Sequence, residues 1–395
     1  MDYSKRMDRL GTETAFDVLA EVNKLKAEGR DIVSFSIGEP DFDTPRNIVD
    51  AAIAALNRGE THYNPSAGLP PLREALAKYI SESRGIPVTP EQVCVTPGAK
   101  PIIFHTVLSV VDEGDEVIYP SPGFPIYESL INYIGAKAVP MPLLESKNFS
   151  LDVEHFERII NDKTKLVILN SPNNPTGGII PQADLEVIAG LARKHDAWVL
   201  SDEVYCQMVY DRPFASIASL PGMAERTLII DGCSKTYAMT GWRIGFGVGN
   251  VDAIAGIARL ITNSDSCTAT FTQHAALEAY TGDQSASKAM IAEFKERRDV
   301  IVDGLNEIEG FTCLKPEGAF YVFPNVSGAC RKVGAADSKE FAHRLLHEAG
   351  VAILGRTCFG GRNEGEDQEY VRFSYASSKE AIAEGLKRIK KFVEG

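Results

Sequence analysis

The chain has 395 residues, 44% of them hydrophobic and 24% charged, and carries a net charge of −13. That is globular composition with ample material for a core, and at about 100–200 residues per domain the length implies two or three domains. The acidic balance speaks against nucleic acid or an anionic membrane as partner, yet leaves room for a small anion in a locally basic pocket.

The opening segment M-D-Y-S-K-R-M-D-R-L alternates charge and does not read as a signal peptide. No apolar run approaches the ~18 residues that a membrane span needs. The cysteines (94, 206, 233, 267, 313, 330 and 358) contain no C-x-x-C pair and read as reduced thiols, so a cytoplasmic protein is expected. The N-x-S sequons at Asn148 and Asn325 are therefore read as chance matches.

In chain order, L-P-P-L-R-E-A-L-A-K-Y-I (69–80) has helical spacing, and V-C-V-T (93–96) and E-V-I-Y-P (116–120) are strand-like. K-L-V-I-L-N (165–170) follows, then a helix over 183–195, then W-V-L-S-D-E (198–203), T-L-I-I-D (227–231) and R-I-G-F-G-V (243–248). Strands alternating with helices predict an α/β fold, with a mostly parallel central sheet covered by helices on both faces. After about residue 285 the rhythm changes. A long charged helix (287–305), a short strand G-A-F-Y-V-F (318–323) and a closing amphipathic helix (378–393) predict a smaller α+β domain. The expected division is 1–45 as an N-terminal arm and part of the small domain, 46–286 as the large domain, and 287–395 as the rest of the small domain. There is no internal repeat and no low-complexity tract.

Ligands of such sheets bind outside the carboxyl ends of the strands. There the chain places Gly98-Ala99-Lys100 after 93–96, Asn174 after 165–170, Asp202 and Tyr205 after 198–202, and Lys235 with Arg243 after 227–231. Pyridoxal phosphate uses such a set. A lysine in an apolar setting is disposed to be neutral, and a neutral lysine is a nucleophile toward an aldehyde. Asp202 fits the acid beside the pyridinium nitrogen, while Asn174 and Tyr205 can hydrogen-bond the ring oxygen. Gly98 and Ala99 open a helix N-terminus toward a phosphate, Arg243 can add a bidentate contact, and Phe124 can stack on the ring. Each residue has a blander alternative. Lys235 could be a surface lysine, Asp202 a helix cap, Tyr205 and Phe124 core aromatics.

The ordered motifs S-I-G-E-P-D-F-D-T-P (36–45), Y-N-P-S-A-G-L-P-P-L-R (63–73), N-S-P-N-N-P-T-G (170–177), S-D-E-V-Y (201–205), S-K-T-Y-A-M-T-G-W-R-I-G (234–245), P-E-G-A-F-Y-V (316–322) and Y-V-R-F-S-Y-A (370–376) run the length of the chain. In these the sequence resembles the class I aminotransferases of fold type I, the aspartate aminotransferase superfamily. The resemblance implies a pyridoxal-phosphate enzyme that moves an amino group between an L-amino acid and a 2-oxo acid, with glutamate and 2-oxoglutarate as the expected general pair. It implies Lys235 as the residue that carries the cofactor, Asp202 at the ring nitrogen, Asn174 and Tyr205 at the ring oxygen, and Ser234 and Arg243 at the phosphate. Arg372 is implied to clamp the substrate α-carboxylate beside the backbone of Gly38; otherwise it would pair with the acids of E-G-E-D-Q-E (364–369). The position that Tyr63 matches reaches the cofactor phosphate of the partner subunit, which implies a homodimer.

Two features depart from the aspartate-specific pattern. The stacking residue is Phe124 rather than tryptophan, and T-N-S-D-S-C-T-A-T-F-T (262–272) holds no arginine for a side-chain carboxylate. A subgroup of the family uses the lysine after the phosphate-binding glycine instead, and Lys100 stands there, at phosphate or at substrate. The rival readings are a C–S lyase of the same fold and a non-catalytic ligand-binding module. G-F-G-V-G (245–249) has the wrong glycine spacing for a dinucleotide loop. His343 and His347 form an i, i+4 pair with no third ligand in the local sequence, so no metal site is expected.

Overall fold

The computed structural model describes residues 3–395; Met1 and Asp2 of the opening segment lie outside the described residues. Among the described residues, thirteen strands run in chain order as β1 (Val33–Ser34), β2 (Val93–Thr96), β3 (Glu116–Ser121), β4 (Lys137–Leu144), β5 (Ser150–Leu151), β6 (Thr164–Asn170), β7 (Trp198–Asp202), β8 (Thr227–Gly232), β9 (Gly245–Val248), β10 (Tyr321–Val322), β11 (Val351–Ala352), β12 (Leu354–Gly355) and β13 (Val371–Ser374). Eight form one sheet in the order β2-β9-β8-β7-β6-β3-β4-β5. Its centre, β8-β7-β6-β3-β4, is parallel, and β9 and β5 pair antiparallel with their neighbours.

Burial on both faces explains the continuous apolar runs. Along β6, Leu166 and Ile168 join Ile102, Ile103 and Val107 of the helix Lys100–Val110 on one face. Val167 and Leu169 join Leu185, Ile188 and Ala192 of the helix Gln182–Lys194 on the other. Each such side chain contributes about 1.5–3 kcal/mol when fully buried. The remaining strands form a pair, β1-β11, and a triplet, β10-β13-β12. Phe35 packs with Phe373, Phe320, Phe341 and Ile382 into one core that also takes in Tyr205 from the loop after β7. The aromatic rings of Phe35 and Phe373 lie 5.7 Å apart.

Element ends differ from expectation where the backbone turns left-handed. The strand expected over 318–323 is reduced to Tyr321–Val322, because Ala319 has φ +57° and cannot continue an extended ladder. That expected over 243–248 starts at Gly245, because Arg243 has φ +53°. Among the described residues, no helix is long and apolar enough to cross a membrane.

Candidate active site

Sheet register gathers the chemistry on one edge. Asn170 pairs with Asp202, Asp202 with Ile230, Gly232 with Gly245, and Gly245 with Thr96. The loops beyond these pairs enclose a cavity of about 550 Å³. Of the expected site residues, Gly38, Ala99, Lys100, Phe124, Asn174, Asp202, Tyr205, Ser234, Lys235, Arg243 and Arg372 line it. Gly98 lies just behind, and Tyr63 stands away from it, 89% exposed.

Lys235 sits in the short helix Cys233–Thr236 after β8, and its Nζ donates to the Gly38 carbonyl at 2.6 Å. It is only partly covered, because one side faces the cavity, but protein surrounds the amine closely enough to hinder its hydration. Burial, then the Arg372 guanidinium, draws its pKa down to about 8. One strand over, Asp202 is buried and accepts a 2.6 Å hydrogen bond from the Tyr127 hydroxyl. Burial pushes its carboxyl up to about 6, while the Tyr127 bond pulls the other way. Tyr127 escaped the sequence reading; its signal was its place three residues after Phe124 on a helix start.

A second buried network supports these strand ends from below. Arg84 bonds Glu203 at 2.8 Å and Asp231 at 3.2 Å, all three buried. Ser201 and Ser216 also donate to Glu203. Removing Arg84 would leave two buried carboxylates without a counter-charge, which costs about 3–5 kcal/mol.

On the other flank, Gly98 has φ +90°, and a Cβ there would fall inside the Arg243 guanidinium. A Cβ on Gly245 would lie 2.5 Å from the Ala99 nitrogen. Glycine at both positions therefore lets Arg243 and the first turn of Lys100–Val110 share one small space. The Thr96 hydroxyl fastens the turn by donating to the Gly98 carbonyl at 2.6 Å. A helix start with unshared N–H groups, next to a guanidinium, is an anion cradle.

Arg372 lies on β13 and ignores the nearby acids. Its Nη1 donates to Asn174 Oδ1 at 2.9 Å and its Nη2 to the Ser36 carbonyl. The guanidinium lies 4.6 Å from the Tyr321 ring and 4.9 Å from the Phe359 ring. Its buried Nε has no hydrogen-bond partner among the described residues. Of the acids in 364–369, Glu366 pairs with Arg356 and Glu369 with Arg362. Since Asn174 accepts from Arg372, its Nδ2 is left as the donor. Tyr205 and Tyr321 join their hydroxyls at 2.7 Å.

Lys100, expected at phosphate or at substrate, lines the cavity and already has a partner within the chain. Its exposed ammonium bonds Glu13 at 2.8 Å and stands 5.2 Å from the Phe124 ring. Glu13 precedes the helix Ala15–Ala27, which brings Phe16 and Leu19 onto the cavity wall. Nothing in the local sequence of residues 13–19 signals this. The pair His343 and His347 also gains what it lacked, because Glu21 of the same helix lies beside it.

Residues 30–389 match the family model "Aminotransferase class I and II". The chain is 38% identical to an aspartate aminotransferase of Bacillus subtilis, over 100% of this chain and 99% of that one. It is 40% identical to an aromatic-amino-acid aminotransferase of Thermococcus litoralis, over 95% and 96%. Its structure superposes on the aspartate aminotransferase from Thermus thermophilus with maleate at a TM-score of 0.92 and 37% identity, covering 99% and 100%. An α/β sheet whose strand ends present a lysine, a buried acid and an anion cradle is thus that of fold type I, and the chain belongs to the class I and II aminotransferases. It is a pyridoxal-phosphate-dependent enzyme that transfers an amino group between an amino acid and a 2-oxo acid.

Proposed function

We propose that Lys235 holds the cofactor and serves as the proton carrier of transamination, with Asp202, Tyr205, Asn174 and Arg372 in fixed supporting roles. The observation that carries this is the placement of Lys235 and Asp202 on adjacent strand ends facing one cavity, with Arg372 across it. Bound there, pyridoxal phosphate supplies an aldehyde for amines and a ring that takes up the electrons left when a proton leaves Cα. The Asp202 carboxylate is an acceptor for a ring N–H. Tyr205 and the Nδ2 of Asn174 are donors for the ring oxygen, and Phe124 packs on the ring face. Gly98, Ala99, Ser234 and Arg243 take the phosphate. Arg372 can turn a bidentate face to an α-carboxylate, with the backbone at Gly38 beside it. Lys235 Nζ takes the proton from Cα and returns it. The test is a panel of L-amino acids against 2-oxoglutarate. A new oxo acid formed in step with glutamate supports the reading; pyruvate and ammonia without an acceptor would mark a C–S lyase instead.

Side-chain choice turns on Glu13. Relatives of this chain include aspartate and aromatic enzymes, so family membership leaves it open. We infer that Lys100 is the partner of an acidic side chain and that Glu13 competes for it, so that uncharged side chains enter more freely. Competition from a partly exposed pair is worth up to about 1 kcal/mol, roughly fivefold. Glu13→Gln should therefore raise the aspartate-to-phenylalanine ratio of kcat/KM by about fivefold. Lys100→Ala should lower that ratio roughly 10–150-fold, the equivalent of about 1.5–3 kcal/mol for a hydrogen bond to a charged group. A ratio that neither variant moves would assign the pair to anchoring the arm.

The proposal extends to a cytoplasmic homodimer, each chain divided into an arm and part of the small domain (1–45), a large domain (46–286) and the rest of the small domain (287–395). Tyr63 supports the dimer: its neighbours are anchored, His62 by Thr270 and Asn64 by Thr268, yet the ring itself is exposed. Its hydroxyl would then serve the phosphate of the partner subunit. Mixing Lys235→Ala with Tyr63→Phe protein should form heterodimers with one complete site and recover activity that neither has alone. Full activity in a strictly monomeric protein would contradict the shared site.

A further inference from the structure

We propose that Glu21, His343 and His347 form a binding site for a divalent transition-metal ion, separate from the cofactor cavity. Histidines four apart on the helix Ser338–Ala349 share one face, and their rings lie 4.4 Å apart, centroid to centroid. Glu21 projects from the helix Ala15–Ala27 and accepts from His347 Nε2 at 2.8 Å. One ligand atom from each of the three lies within 4.8 Å of the others. A tetrahedral zinc ion bonded at about 2.0–2.1 Å keeps its ligands roughly 3.3–3.5 Å apart. The cluster therefore has to close by up to about 1.5 Å, within rotamer reach of side chains that solvent still touches.

An ion pair between Glu21 and His347 does not account for the third member. The His343 side chain is exposed and makes no protein hydrogen bond among the described residues, though it sits against the His347 ring. A bound cation gives it a partner. Two imidazoles and one carboxylate suit zinc, cobalt, nickel or copper, whereas magnesium and calcium prefer an all-oxygen set. The exposed flank leaves room for water as a further ligand. Behind it the backbone is held, because Arg30 donates to the His347 carbonyl.

The position gives the ion a consequence. Glu21 belongs to the helix whose first turns put Phe16 and Leu19 on the cavity wall, and Val22 and Leu25 of that helix already pack on Leu346. An ion bridging Glu21 to His343 and His347 fastens that helix to Ser338–Ala349 and so fixes the wall of the site.

Equilibrium dialysis of the full-length holoenzyme with Zn²⁺, after removal of adventitious metal by EDTA, tests this. One ion per chain should bind in the micromolar range, weaker than a four-ligand structural zinc site. His343→Ala and Glu21→Gln should each weaken binding at least about tenfold. Zn²⁺ should raise the melting temperature of the wild type and not of the variants. A variant whose metal-free melting temperature matches wild type is folded, so its loss of binding is local. No binding at 100-fold excess over protein, or binding that His343→Ala leaves unchanged, overturns the proposal; in the second case the ion sits elsewhere, for instance on a thiol.

Discussion

Lys235→Ala is expected to lower transamination at least about 10⁴-fold while the protein still binds pyridoxal phosphate. General acid–base catalysis is worth roughly 10²–10⁴-fold, and this variant loses the nucleophile as well. No second amine is placed to substitute. The Lys100 ammonium is engaged by Glu13, and Arg243 and Arg372 cannot act as bases. Under the proposed assignments, retention would rest on groups other than Lys235: the Gly98–Ala99 turn, Arg243 and the Asp202 carboxylate. Borohydride treatment of wild-type holoenzyme should bleach its visible absorbance and leave a stable adduct on Lys235, found by mass spectrometry after proteolysis. The variant should yield none. In cofactor-free protein the amine becomes a nucleophile as it loses its proton, so the rate of cofactor addition should climb with pH and level off above about 8. An adduct on any other lysine would remove Lys235 from the centre of the site.

What could be read from sequence and what could not divide along a physical line. Strand ends were legible because a strand buried on both faces is an uninterrupted apolar run, and the polar residue that stops the run is the one the sheet edge presents. Asn170, Asp202 and Asp231 stop such runs, and Asn174 and Lys235 follow within four residues of them. Contacts between distant segments leave no local trace. Tyr127 and Asp202 are 75 residues apart, Glu13 and Lys100 are 87, and Glu21 and His347 are 326. In each pair only one partner carries a local signal, because a lone Tyr or Glu on or beside a helix is ordinary. The consequence was largest for Lys100. Its place after the phosphate-binding glycine is visible in the sequence, but its charge is already answered by Glu13, 87 residues away, which no local signal brings there.

Asp202→Asn should damage chemistry far more than cofactor retention. The carboxylate is buried, and burial lifts its pKa from the ordinary 3.8 to about 6, so at neutral pH it is charged inside the protein. The ion is tolerated because the Tyr127 hydroxyl and the Val204 N–H donate to it. A ring N–H would be its natural cationic partner, and breaking a buried pair costs about 3–5 kcal/mol, or roughly 10²–10⁴-fold in rate. The amide keeps the shape and can still accept from Tyr127, but it cannot hold a proton on the ring. The linkage sign predicts a second, opposite effect. A carboxyl whose folded pKa exceeds its unfolded one destabilises the cofactor-free fold progressively as pH rises from about 4 to 6, and fully above that. Asp202→Asn removes this penalty, so the cofactor-free variant should melt no lower than wild type at pH 7.5. Tyr127→Phe acts on the same group from the other side. Losing the hydrogen bond that favours the charged form raises the Asp202 pKa further, so the acidic limb of the kcat profile should move to higher pH. A role in packing alone would lower activity evenly across pH. A near-full rate for Asp202→Asn, with the cofactor retained, would show that Asp202 does not act electrostatically on the ring.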